Sequence, residues 1–247
     1  MDVQIAPIRG FNDQEDRGAA ATIALVDAQI APVLDFNLRY LQIKRVLDVL
    51  FSLLVLIPLS IVTVIIAILI RLDSAGPIFY RHKRVGLNGV EFYMLKFRSM
   101  YANCDDSSHR EAAAKYMSGQ SLSENATDDL LYKQADDPRI TRVGRFLRKM
   151  SIDELPQFFN VLRGEMTLVG PRPPLPYEVE LYTSYDRLRL FGKPGLTGPW
   201  QVYGRSRVPF QTMVEMDIAY LQRQSLREDL KLIALTVPVM LLGRGGA

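Results

Sequence analysis

The chain has 247 residues, 48% of them hydrophobic, 23% charged and 9% aromatic, which is enough for one full-sized domain with attachments and excludes wholesale disorder. A single cysteine, Cys104, excludes an intrachain disulfide and with it a disulfide-built secreted scaffold. The net charge of +3 is unevenly spread: residues 1–35 carry two basic against six acidic residues, and the remainder 28 basic against 21 acidic.

Residues 1–40 read as a loosely ordered acidic arm, with short apolar patches at 22–26 and 30–34 but no sustained period. Residues 49–70 then run for 22 positions without a charge, and about 20 apolar residues cross a bilayer core as a helix. A soluble protein would need a larger body to bury a helix that is apolar on every face. Lys44 and Arg45 precede the run, and Arg71, Arg81, Lys83 and Arg84 follow it, whereas a simple span carries its basic residues mainly on one side. Pro58 stands near the middle, fourteen residues after Lys44 and thirteen before Arg71, and removes a helix hydrogen bond there. Basic flanks at both ends and a central proline favour a helix-break-helix hairpin over 41–73 that dips into one leaflet. An ordinary span with a proline kink is the alternative.

Residues 74–247 form the body beyond the membrane run, which the resemblance described below implies is a cytoplasmic catalytic domain. Asn88-Gly89 between the β-prone runs 78–80 and 90–97 predicts a hairpin. Residues 101–137, with three basic residues against eight carboxylates, read as a mobile insertion with some helix around 110–117. The apolar run 232–242 is too short to span and holds Pro238, so it lies in the interface or packs on the domain. The whole is an α+β fold: a mostly helical body with a small β-hairpin, amphipathic interfacial helices and one re-entrant membrane hairpin.

No phosphate-loop, dinucleotide or metalloprotease motif is present, and two histidines leave little material for a histidine-based triad. Carboxylates and arginines remain, a set suited to phosphoryl transfer. Arg139, Arg142, Arg145 and Arg148 recur every third residue and stay near one face of a helix, able to hold phosphates or to rest on anionic headgroups. Nucleic acid finds no groove-reading motif here. Asp153 and Glu154 follow, a pair able to supply a nucleophile and a base or to ligate magnesium. Ser151-Ile152-Asp153-Glu154 also fits a capping box, Ser151 as N-cap and Glu154 at N3, and taken alone the residues favour that structural role. Gly170-Pro171-Arg172-Pro173-Pro174 stiffens the backbone around Arg172, and Arg205 follows a second punctuated loop.

Together, Lys44-Arg45-x-x-Asp48, the proline-broken run, the segment from Asp73 to Gly89, Lys96–Met100, the segment 137–174 and the segment 194–205 resemble the bacterial sugar transferases. These are small monotopic polyprenol-phosphate phosphoglycosyl transferases, and the resemblance runs from about Leu41 to the C-terminus. It implies transfer of a phosphosugar from a UDP-sugar to polyprenol phosphate with release of UMP, at the cytoplasmic face of the bacterial inner membrane. It further implies Asp153 as nucleophile, Glu154 assisting it, and Mg²⁺ held by Asp153 and Glu154. Lys96, Arg98, Arg148, Arg172 and Arg205 are the candidates for the phosphates and nucleotide, and Lys44, Arg45, Asp48 and Pro58 for the membrane hairpin. The implied partners are the UDP-sugar, polyprenol phosphate and inner-leaflet lipids, with no nucleic acid and a homodimer left open. Two positions depart from the family pattern: Ile57 stands where relatives often have Ser, and His82 where Gln is common.

Overall fold

A computed structural model describes residues 37–102, 107–118, 137–204 and 208–241. The apolar run lies in one helix, α1 (Leu38–Asp73), 36 residues long. Asn37 caps its start by accepting from the Tyr40 amide at 3.2 Å, and the Ser74 amide closes it on the Ile70 carbonyl at 3.1 Å. Pro58 sits inside this helix without a break in secondary structure, so the expected helix-break-helix is a continuous helix. A hydroxyl is still at hand beside Ile57: Ser60 Oγ donates to the Ile57 carbonyl at 2.6 Å. Tyr40, Lys44, Asp48, Ser52, Leu56, Leu59, Ile66 and Ile70 form a buried stripe along one face. The opposite face leaves Leu54, Ile57, Ile61 and Val64 exposed by 60% or more. So long an apolar surface requires a non-aqueous neighbour.

Both ends of α1 are fastened to the same body. Near its start, Lys44 Nζ meets Asp229 at 2.5 Å, Arg45 donates to the Val161 and Leu162 carbonyls, and Asp48 accepts from Thr167 Oγ1 at 2.6 Å and the Leu168 amide at 3.0 Å. Near its end, Asp73 accepts from the Val143 amide at 2.9 Å, while Ile66 and Ile70 pack with Phe97 and Leu147. The Lys-Arg-x-x-Asp motif is therefore a polar clamp between the apolar helix and the rest of the body.

The hairpin forms as expected. β1 (Phe79–Val85) pairs antiparallel with β2 (Glu91–Phe97), from Phe79 opposite Phe97 to Val85 opposite Glu91. Asn88 and Gly89 take positive φ in its loop, the conformation that makes Asn-Gly a turn signal. Around it stand α2 (Ser107–Met117), α3 (Arg142–Lys149), α4 (Gln157–Arg163), α5 (Pro176–Glu180), α6 (Phe210–Arg223) and α7 (Leu226–Leu241). α2 covers the helix expected within 101–137. Most of that insertion, and nearly all of the N-terminal arm, lies outside the described residues.

A second pairing has no sequence signal: β3 (Thr167–Val169) runs parallel to β4 (Gly195–Thr197). It brings Gly170 and Gly195 backbone to backbone, and a Cβ on Gly195 would stand 2.1 Å from the Gly170 nitrogen. One core gathers Phe92, Met94, Val161, Met166 and Leu232; another joins Tyr182, Leu190, Phe210 and Val214. Leu232 of the C-terminal apolar run is fully buried, while Leu230 and Val237 remain 61% and 50% exposed. α7 thus packs on the domain and keeps an apolar outer flank.

Candidate active site

Three elements converge on the carboxylate pair. α3 begins at a true cap, Thr141 Oγ1 accepting from the Gly144 amide at 2.9 Å. Gly144 lets this helix touch Ser99 at the end of β2, since a Cβ there would lie 2.0 Å from the Ser99 carbonyl oxygen. After α3 the chain reverses at Ser151, which holds φ 55° and ψ 20° and makes no side-chain cap. The expected capping box is therefore absent. A non-glycine residue in the left-handed region is locally strained, and such strain gathers at functional sites. It tips the following 3₁₀ turn, Ile152–Glu154, so that Asp153 is buried at 7% exposure and Glu154 reaches out.

Glu154 Oε1 bonds Lys96 Nζ of β2 at 2.7 Å. β2 is held in place by Asn160, a fully buried residue of α4. Its Oδ1 accepts from the Leu95 amide at 2.9 Å, and its Nδ2 donates to the Tyr93 carbonyl at 2.8 Å and to Glu165 at 2.7 Å. Asn160 therefore registers Lys96 against the carboxylates. Sequence reasoning passed over it, although an amide set between Phe159 and Val161 was the available signal.

The Asp153 carboxylate has no side-chain hydrogen-bond partner among the described residues. Burial pushes its pKa above the ordinary carboxylate range and the Glu154 charge adds to this, with Lys96 and then Arg148 pulling back. A buried carboxyl short of partners, with two cations nearby, is an environment that marks candidate functional groups. No group of three metal-binding side chains occurs among the described residues. Two adjacent carboxylates nevertheless suit Mg²⁺, which commonly takes one or two carboxylates and completes its shell with water and substrate phosphates.

The arginines divide. Arg148, half-buried in the last turn of α3, acts electrostatically on Asp153. Arg142 and Arg145 are exposed on α3, while Arg139 lies before the helix and is ion-paired to Asp137 at 2.8 Å, so the stripe is shorter than its spacing suggests. Arg98 is 5% exposed, and its Nη2 donates to the Ser74 and Ile70 carbonyls at the end of α1. The structure thus places it in the helix anchor. Arg172 pairs with Glu178 at 3.1 Å and lies over the Trp200 ring. Its carbonyl accepts from Arg189 Nη2 at 3.0 Å, and Arg189 itself is buried against Asp217 and Tyr182. Neither Arg189 nor Asp217 was legible as part of this loop's support. Arg205 lies outside the described residues.

Residues 39–243 match the bacterial sugar transferase family. The chain belongs to the bacterial sugar transferases. This transferase is 44% identical over 202 residues to the exopolysaccharide production protein ExoY of Sinorhizobium fredii, a match covering 82% of this chain and 87% of that one. It is 42% identical over 211 residues to the galactosyl transferase CpsE of Streptococcus agalactiae, covering 85% of this chain but 44% of CpsE. An undecaprenyl-phosphate galactose phosphotransferase of Salmonella typhimurium is 40% identical over 205 residues, covering 83% of this chain and 41% of the relative. The transferase therefore spans less than half the length of the two longer relatives.

Proposed function

We propose that this transferase moves a phosphosugar from a UDP-sugar to a polyprenol phosphate, the membrane step that opens synthesis of an exopolysaccharide or related glycan. The observation that carries the reading is Asp153: buried, free of side-chain partners and flanked by Lys96 and Arg148. Its Oδ attacks the β-phosphorus. The bond from that phosphorus to the bridging oxygen breaks, and UMP leaves with the oxygen. The resulting acyl phosphate holds the phosphosugar until an oxygen of polyprenol phosphate attacks the same phosphorus and displaces the carboxylate. Glu154, held by Lys96, handles the acceptor's proton. Arg148, which acts on Asp153, counters the phosphate charge, and Arg172 on its stiffened loop is assigned to the same role. Asp153 and Glu154 would hold Mg²⁺ jointly with the diphosphate oxygens, where the ion supplies charge neutralisation.

We also infer that the chain is held in the membrane from one side, the cytoplasmic face, without α1 spanning the bilayer. Asp48 and Ile66 are 18 residues apart, about 27 Å along a straight helix and close to the thickness of the hydrocarbon core. Both are bound to one body, which cannot stand on both sides of a bilayer. Labelling of an N-terminal tag from outside intact cells would overturn this topology.

Incubation with radiolabelled UDP-sugar in the absence of acceptor tests the chemistry. The wild-type chain is expected to retain label through denaturing electrophoresis and Asp153→Asn to retain none. Label on the variant would remove Asp153 as nucleophile.

A further inference from the structure

Between α1 and α7 lies an open cavity of about 290 Å³, walled by Leu50 and Leu54 of α1, Val169 of β3, and Leu230 and Ile233 of α7. Its polar groups are already committed. Lys44 is paired with Asp229, which also accepts from Tyr40 and Tyr220, and Asp48 is bonded to Thr167 and Leu168. No free charge is left in it to hold a headgroup, so the occupant it fits is hydrocarbon.

Two continuities narrow the choice. The rim residues Leu50, Leu54 and Leu230 are 58%, 68% and 61% exposed and merge with the bare apolar face of α1, so the groove opens onto the layer into which that helix inserts. β3, which supplies Leu168 and Val169 to the lining, continues directly into Gly170-Pro171-Arg172. A chain lying in the groove enters from the bilayer beside the strand that leads to the arginine loop.

We propose that this groove binds the acceptor's polyprenyl tail beyond its first three isoprene units, since its walls lie at the start of α1 while Ile152, beside Asp153, packs against Ile66 and Ile70 near the end of that helix. The inference rests on the transferase reading above. Burial of the tail in a fixed groove holds the acceptor phosphate beside the loaded enzyme and makes chain length a determinant of affinity, separate from the chemistry at Asp153.

The test uses the full chain in detergent, with undecaprenyl phosphate and farnesyl phosphate compared as acceptors. Leu230→Trp fills the groove from an exposed position, Leu230→Ser weakens its wall, and Ile61→Trp places the same bulk elsewhere on α1. Both Leu230 variants are expected to raise KM for undecaprenyl phosphate about tenfold, the worth of roughly two buried methylenes. KM for farnesyl phosphate should move less, and acceptor-free labelling by UDP-sugar and the Ile61→Trp kinetics should not move. An unchanged KM for undecaprenyl phosphate, or equal rises for both acceptors, would overturn the groove. So would displacement of co-purifying phospholipid by Leu230→Trp with KM unchanged, which would make this an acyl-chain site. A wild-type chain that labels but shows no chain-length dependence sinks the groove alone, and one that never labels sinks the transferase reading as well.

Discussion

Asp153 and Glu178 are buried to the same depth, 7% and 6% exposed, and end in opposite electrostatic states. Desolvation pushes both upward. At Glu178 the guanidiniums of Arg172 and Arg84, with the Leu175 amide, outweigh burial and hold the carboxyl below its ordinary range. At Asp153, Lys96 and Arg148 are too little to do so, and Glu154 works against them. One carboxylate is finished as part of the architecture. The other is left short of partners, in keeping with the nucleophile proposed for it, whose surroundings substrate would complete.

The largest effect expected from breaking this contrast is at the reactive carboxylate. Asp153→Asn should lower UMP release by about 10⁴-fold or more. It should also leave the fold at least as stable as the wild type. Because the folded pKa of Asp153 lies above its unfolded one, the stability this group contributes is present below the unfolded pKa and lost as pH rises through the folded pKa. Above the unfolded pKa the variant is therefore relieved of the cost of burying this carboxyl. Thermal unfolding should show Tm equal or higher at neutral pH, converging with the wild type in acid. A clear fall in Tm would mean that Asp153 is a structural residue.

Glu178→Gln is the converse. It removes the buried charge that half-buried Arg172 is paired with, and breaking such a pair costs about 3 kcal/mol or more. Here the folded pKa lies below the unfolded one, so the stabilisation is present above the unfolded pKa and lost as pH falls through the folded pKa. Denaturation midpoints should separate from the wild type at neutral pH and approach it in acid. The opposite pH trends of the two variants are what the comparison demands.

Much of this contrast was legible in the sequence, but not its sense. Asp153 and Glu154 stood out as a pair, yet the local pattern made them a helix cap. The structure overrides the cap because Ser151 turns left-handed and Glu154 is drawn to Lys96, 58 residues away. Asn88-Gly89 gave the hairpin, since a turn is a local property. β3 and β4 are three residues each and pair across an intervening α5, too short for any period to reveal. Arg172 was read as free to bind because its anchor Glu178 and support Arg189 carry no motif of their own.

A medium effect is expected at Lys96, which lowers Asp153 against burial. Removing that charge in Lys96→Gln leaves the aspartate harder to ionise. The acidic limb of the kcat/KM profile should therefore move to higher pH, in the direction opposite to any variant that adds a cation nearby. A profile that keeps its acidic limb while KM alone rises would assign Lys96 to substrate binding only.

The same division between committed and uncommitted charge extends to the arginines, where the effects are smallest. Arg172 is fixed by Glu178, whereas exposed Arg142 and Arg145 have no ion-pair partner among the described residues. They neighbour Phe146, which is 59% exposed, on a helix whose start is tied to Asp73 at the end of α1. An exposed aromatic beside cations at the level where the apolar helix ends suits a surface resting on anionic headgroups. Each basic residue near such a surface is worth about 1 kcal/mol, so Arg142→Gln with Arg145→Gln should weaken binding to phosphatidylglycerol-containing vesicles by roughly tenfold or more. The loss should shrink as salt is raised toward 1 M, where the screening length is about 3 Å. Vesicles of phosphatidylcholine alone should not distinguish the variant from the wild type. If instead KM for the UDP-sugar rises in detergent, these arginines serve the donor phosphates, and the uncommitted charge on α3 belongs to the active site.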